Sequence, residues 1–222
     1  VLAEGGLLGT GGVRDPLRVA FGDSGFSSAA ARSDHAHAPR GVLYTRWGRT
    51  TCPAGAALVY AGHAAGGHFQ QAGSGANTLC LAGEPAWDAA PGAFSDLNHN
   101  GGLAYGAVFQ TSGFGVGRLS AVNLARVACA VCRADADLSL MVPGTPSCPA
   151  DFRLEYGGFL MSTHFTHQQG QYLCVDAAPD PALGFAATPT GLLLYPVEAE
   201  CGPLPCPPYV QDRELACAVC SR

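Results

Sequence analysis

The 222-residue chain contains no lysine and no isoleucine, and all twelve of its basic residues are arginine. Without lysine there is no Schiff-base amine, no phosphate-loop lysine and no lysine general base, so several large enzyme classes are excluded. Charged residues make up only 13% of the chain against 48% hydrophobic, which excludes a disordered acidic or basic tail. No apolar run reaches about 18 residues, so no membrane-spanning helix is expected. The formal net charge of −5 offers no basic footprint for nucleic acid. Asn77, Asn98, Asn100 and Asn123 all lack a Ser or Thr two positions on, so no N-glycosylation is expected.

Glycine, proline and cysteine are abundant instead. With 30 Gly and 16 Pro, turns must be frequent and long helices rare. The ten cysteines are Cys52, Cys80, Cys129, Cys132, Cys148, Cys174, Cys201, Cys206, Cys217 and Cys220. An even set in a chain of this size implies a disulfide framework and an oxidising compartment. The chain starts at Val1 and shows no basic segment followed by an apolar one. We therefore expect a mature, secreted extracellular chain whose signal peptide has been removed.

A tandem duplication organises most of the sequence. Thr51-Cys52-Pro53-Ala54 returns as Ser147-Cys148-Pro149-Ala150, and His68-Phe69 as His164-Phe165, at an offset of 96. Thr78-Leu79-Cys80-Leu81 is echoed by Tyr172-Leu173-Cys174-Val175, and Gly102-Leu103 by Gly191-Leu192. Both copies close on Ala-Cys-Ala-Val-Cys, at residues 128–132 and 216–220. The repeat predicts a first lobe over 41–133 and a second over 137–222, with residues 1–40 belonging to neither.

Each lobe has an even cysteine count, so pairing within lobes is the simplest solution. In an extended Cys-Ala-Val-Cys segment the two sulfurs point to opposite faces and reach different partners. The expected pairs are Cys52–Cys132 with Cys80–Cys129, and Cys148–Cys220 with Cys174–Cys217. Cys201 and Cys206, present only in the second lobe, close a local loop. The competing reading of Cys-x-x-Cys is a redox pair or half of a zinc site. A redox pair wants a helix start and a zinc site wants two close pairs, and neither context is present.

Short apolar or alternating runs bounded by Gly, Pro, Asn and Asp recur through both lobes, so the expected fold class is all-β. Leu119–Arg126 is the one helical candidate, with Leu119, Val122 and Ala125 at three-residue steps. In residues 1–40, Leu17, Val19 and Phe21 mark one strand. It reads either as a leader or edge strand, or as an arm that adds a strand to a neighbouring subunit.

Tyr44-Thr-Arg46-Trp47-Gly48-Arg49-Thr-Thr-Cys52-Pro53 carries a family resemblance, together with Gly66-Gly67-His68-Phe69, Asn77-Thr-Leu-Cys80-Leu81 and Cys201-Gly-Pro-Leu-Pro-Cys206-Pro-Pro-Tyr209. With the two Cys-Ala-Val-Cys endings, these strings resemble the non-collagenous region of sponge short-chain (spongin-type) collagens. That region is related to the C-terminal non-collagenous domain of type IV collagen, a tandem duplication with nested disulfides. The resemblance spans about residues 41–222 and supports the nested pairing. It implies an extracellular structural or assembly role and no reaction. The chain departs from the collagens in having no Gly-X-Y tract, so it cannot form a triple helix by itself.

Other constellations are weaker. His35-Ala-His37 has metal-ligand spacing but sits in a polar segment beside Asp34, where a solvated loop is the simpler reading. His68 and His164 occupy equivalent repeat positions, which points to shared packing with a buried imidazole bonded to backbone. Ser74 lacks the strand–turn–helix context of a nucleophile elbow, and no spacing selects a catalytic triad. Trp47 and Trp87 are the candidate stacking platforms of a glycan-binding alternative. The leading expectation is a secreted, non-enzymatic module without cofactor or metal that self-associates into a homo-oligomer, filament or matrix. Other matrix proteins or glycans are its further expected partners.

Overall fold

The apolar runs bounded by Gly and Pro are strands, and the protein is nearly all β. The computed structural model describes residues 41–87, 101–115 and 117–222, together with 7–8, 12–15, 18–19, 21–22 and 30–31. Two compact units divide the chain, Val1–Pro39 and Arg40–Arg222. In the first, β1 (Leu7–Leu8) pairs antiparallel with β2 (Arg18–Val19), and β3 (Phe21–Gly22) pairs parallel with β4 (Ala30–Ala31). Val19 therefore lies in β2 opposite Leu7, and Phe21 in β3 opposite Ala30; Leu17 lies outside the described residues.

The second unit opens with β5 (Val42–Trp47), β6 (Ala57–Gly66), β7 (Leu79–Ala82), β8 (Tyr105–Phe109), the helix α1 (Gly117–Ser120) and β9 (Ala128–Ala134). It continues with β10 (Ser139–Pro143), β11 (Arg153–Ser162), β12 (Leu173–Asp176), β13 (Leu192–Pro196), β14 (Glu198–Ala199), β15 (Arg213–Glu214) and β16 (Ala216–Ser221). The duplication is visible in the pairing. In the first half β9 pairs with β5 and β6, and β6 also pairs with β7 and β8. In the second, β16 pairs with β10 and β11, and β11 also pairs with β12 and β13.

The registers agree residue for residue. Tyr44 faces Cys132 as Leu140 faces Cys220, and Trp47 faces Cys129 as Pro143 faces Cys217. Leu81 faces His63 as Val175 faces Phe159. Even the bulges coincide, between Leu58 and Tyr60 and between Leu154 and Tyr156. Tyr60 and Tyr156 donate their hydroxyls to the equivalent carbonyls of Cys80 and Cys174 at 2.9 Å.

The two halves do not stand as separate lobes, because residues 40–222 form one unit with a shared ten-stranded sheet. Strand β12 runs parallel to β5 through Val175 and Trp47, and β13 runs parallel to β8 along Leu192–Leu194. Hydrogen bonding thus closes a circuit β11–β12–β5–β9–β6–β8–β13 and back to β11. Every strand of that circuit contributes to one apolar core: Trp47, Ala64, Phe109, Cys129, Met161, Val175 and Leu194 all pack in it. A half on its own would leave this core open, which is why the repeat does not translate into two independent domains.

The ten cysteines form five bridges: Cys52–Cys132, Cys80–Cys129, Cys148–Cys220, Cys174–Cys217 and Cys201–Cys206. This is the nested order expected from the repeat, and Cys129 and Cys132 do project into two different clusters of the core. The loops between bridged cysteines span 80, 49, 72 and 43 residues for the four long bridges. Each is worth about 4 kcal/mol in the chain-entropy picture. Cys201–Cys206 closes five residues and contributes about half as much. Its two cysteines are exposed while the other eight are buried or half-buried. Mild reduction is therefore expected to open Cys201–Cys206 first and leave the melting transition nearly unchanged. Alkylation followed by peptide mapping checks this; labelling of Cys129 or Cys217 at the same reductant concentration would refute it.

The helix expected over 119–126 is shorter and earlier. It ends at Ser120, turns follow, and Leu124 adopts a positive φ of 64° that no α-helix can continue. The three-residue steps still mark the inward face, since Leu119, Val122 and Ala125 are all buried in the core.

Candidate functional site

The surface with the most specific chemistry is the joint between the halves, built largely by the Tyr44–Arg49 string. The Tyr44 hydroxyl donates to Glu155 Oε2 at 2.7 Å. Arg153 Nε and Nη2 donate to Glu155 Oε1 at 3.0 and 2.8 Å, and Ser221 Oγ donates to the same oxygen at 2.5 Å. Burial pushes the Glu155 carboxyl upward, but the hydrogen bonds from Ser221, Tyr44 and Arg153 outweigh it and hold the group below its ordinary range. Burial, then the Glu155 carboxylate, raises the Tyr44 phenol, so Tyr44 stays a donor.

Two positions along β5, Arg46 Nε and Nη2 reach Asp176 Oδ2 of β12 at 2.8 and 2.7 Å. Arg49 Nη1 donates to the carbonyl of Ala178 at 2.8 Å. Between them Gly48 has φ +87°, and a Cβ there would meet Val175 and Pro179 at 3.1 Å, so glycine lets the turn lie against the second half.

The duplicated His-Phe loops form the other end of the joint. His68 and His164 each accept, through Nδ1, the backbone N–H two residues on, from Gln70 at 3.2 Å and Thr166 at 3.3 Å. Each ring packs on an equivalent tyrosine, Tyr105 at 5.0 Å and Tyr195 at 5.1 Å between centroids. The shared packing expected of these histidines is present, although both rings are half-buried and not buried. Phe69 then crosses to the second half, with its ring 4.7 Å from that of His167. Backbone bonds flank the crossing, from Phe69 N to Gly191 O and from Gln168 N to Phe69 O.

Each of these contacts uses one face of the first half and a different face of the second. Among the described residues the repeat therefore leaves two counterparts without a strand partner in the other half, β10 on the second half and β7 on the first. Strand β10 meets β5 through Ser139 Oγ, which donates to the Leu43 carbonyl at 3.3 Å. Leu173 and Val175 are 2% and 0% exposed under β5, whereas their equivalents Leu79 and Leu81 are 43% and 41% exposed. The polar pairs of the joint are replaced by apolar ones on the unused faces. Tyr44 and Glu155 correspond to Leu140 and Val59, and Arg46 and Asp176 to Val142 and Ala82. Phe165, the counterpart of Phe69, is 91% exposed.

Trp47 does not offer a platform for a sugar, because it is 9% exposed and part of the core. Trp87 is 86% exposed. His35 and His37 lie outside the described residues. Ser74 has φ 71°, and its hydroxyl accepts the Leu103 N–H at 2.9 Å. Among the described residues no group of three or more His, Cys, Asp or Glu could hold a metal, and no helix is long and apolar enough to cross a membrane. Sequence reasoning missed Glu155, Asp176 and His167. The signal was there in the differences between the repeats, where Val59, Ala82 and Gln71 become Glu155, Asp176 and His167. Searches with the whole chain find no matching protein-family model and no matching curated protein.

Proposed function

We propose that the protein is an extracellular structural module that self-associates head to tail, with the β7 face of one copy seated on the β10 face of the next. The observation that carries this reading is the exposure of Leu79 and Leu81 where Leu173 and Val175 are covered. One chain already makes this joint once, between its own halves, and carries the two unmatched counterparts on different surfaces. A contact between two different surfaces is heterologous, and it propagates to a closed ring or to an open filament depending on its rotation. The apolar substitutions at Leu140, Val142, Val59 and Ala82 suit a contact made between chains, where burial drives association without the desolvation cost of ion pairs. The five disulfides are consistent with an extracellular location. The resemblance to collagen non-collagenous regions points to the same class of role.

The test is light scattering after size exclusion, with negative-stain microscopy, on the full chain and on Leu81→Arg and Met141→Arg. Both positions are exposed, so each variant is expected to stay folded. Each alone is expected to remain monomeric. Mixed one to one they are expected to give dimers and nothing larger, because one intact β10 face meets one intact β7 face. A wild-type chain that stays monomeric up to about 100 μM, a concentration at which even a weak contact of about −5.5 kcal/mol is half-formed, overturns the reading.

A further inference from the structure

We propose that this association is gated by pH, through the paired imidazoles His164 and His167 that lie beneath the exposed Phe165. The inference rests on the head-to-tail reading, because Phe165 lies on the second half's unmatched side. The Phe165 ring sits 4.3 Å from that of His164, and His164 sits 5.3 Å from His167. Tyr195 of β13 backs both rings, at 5.1 and 5.7 Å. From the opposite loop Phe69 covers His167, with His68 and Tyr105 stacked behind it. Tyr172 lines the cavity beside both rings, so the titratable groups facing the pair are His68, Tyr105, Tyr172 and Tyr195, with no carboxylate among the described residues there.

This surrounding accommodates neutral imidazole and opposes imidazolium. His164 Nδ1 is occupied by Thr166, whose hydroxyl lies at 2.9 Å and whose N–H points to it at 3.3 Å. His167 Nδ1 is buried and has no hydrogen-bond partner, so a proton placed there would have no acceptor. Burial first, then the neighbouring His164, moves the His167 titration below its ordinary value. The first half has glutamine at the equivalent position, Gln71, which bonds Tyr105 and carries no such liability.

Seating a second copy on Phe165 removes water from above His164, and the charged form then loses solvation that the free copy still has. By linkage, protons bind the separate copies more tightly than the assembled ones and drive them apart. One imidazole that protonates in the separate copies and is kept neutral by assembly weakens association by up to about tenfold per pH unit as the pH falls. Glu155, whose carboxyl is held below its ordinary range, stays ionised between pH 7.5 and 5.5, so the network it anchors in the in-chain joint is not the element that responds.

Sedimentation equilibrium of the full chain at pH 7.5, 6.5 and 5.5 tests the inference, with His164→Gln and His164→Gln/His167→Gln alongside. The wild type is expected to lose affinity about tenfold or more across the series, and the double variant to associate equally at all three values. Association of the wild type that is unchanged at pH 5.5 overturns the gating and leaves the head-to-tail reading standing. A pH dependence that persists in full in both variants also overturns it. A wild type that is monomeric at every pH overturns both.

Discussion

Replacing Gly158 with alanine is expected to destabilise the protein by about 3 kcal/mol or more, at the upper end for an overpacked position. Gly158 pairs with Asp176 where β12 crosses close over β11, and a Cβ at Gly158 would lie 1.8 Å from the Val175 carbonyl oxygen. The obstacle is backbone, so no rotamer change relieves it. β12 cannot retreat either, because β5 holds its other side through Val175 and Trp47 and through the Arg46–Asp176 pair. The repeat provides its own control. Gly62 occupies the equivalent position with the same 1.8 Å approach, to the Leu81 carbonyl oxygen. There the crossing strand is β7, whose one strand partner among the described residues is β6, so it can shift outward. Gly62→Ala is expected to cost about half as much. Gly106→Ala in β8, where nothing lies within 4 Å, should fall within about 0.5 kcal/mol of wild type. Urea midpoints followed by the fluorescence of the buried Trp47 rank the three. Equal midpoints for Gly158→Ala and Gly106→Ala would mean that β12 does not cross where it is described.

The second large effect is expected at Glu155. Glu155→Val places the repeat's own alternative residue there, but it strands the Tyr44 hydroxyl and Ser221 in a buried site. Removing one member of such a network costs about 3 kcal/mol. Adding Tyr44→Leu puts at both positions the residues that their repeat counterparts Leu140 and Val59 hold, and should return at least about 1 kcal/mol relative to the sum of the single changes. Strict additivity in this cycle would mean that Tyr44 and Glu155 do not act together. The same residue fixes the acid response. Its folded pKa lies below the ordinary 4.5, so the unfolded chain binds its proton first as pH falls. The stability it supplies is complete above pH 4.5 and disappears as pH falls through the lower folded value. Between pH 5 and 3 the wild type should therefore lose more stability than Glu155→Val.

Much of this was legible in the chain because the duplication doubles every signal. Cys-Ala-Val-Cys at the end of each half sends its two sulfurs to opposite faces and so to different partners, and short runs bounded by Gly and Pro suit strands far better than helices. The joint between the halves was not legible, for a physical reason. Pairing within a half is set by local alternation and by the cysteines, whereas β5 meets β12 through one parallel bridge and a set of side chains that are ordinary surface residues by type. Arg46 and Asp176 look like two solvated charges until the strands bring them together. The Leu119–Val122–Ala125 steps misled as to helix because an inward-facing turn repeats at nearly the same spacing.

The closed circuit of strands also dictates an order of events during synthesis. All five bridges join cysteines within one half, so the first half can be oxidised as soon as Cys132 emerges. Its Trp47 face cannot be covered until Val175 has been made, because the circuit closes only through the second half. Contacts between residues so distant in sequence form slowly. During that interval an apolar sheet edge waits uncovered, and a folding assistant that shields it would raise yield without altering the final state.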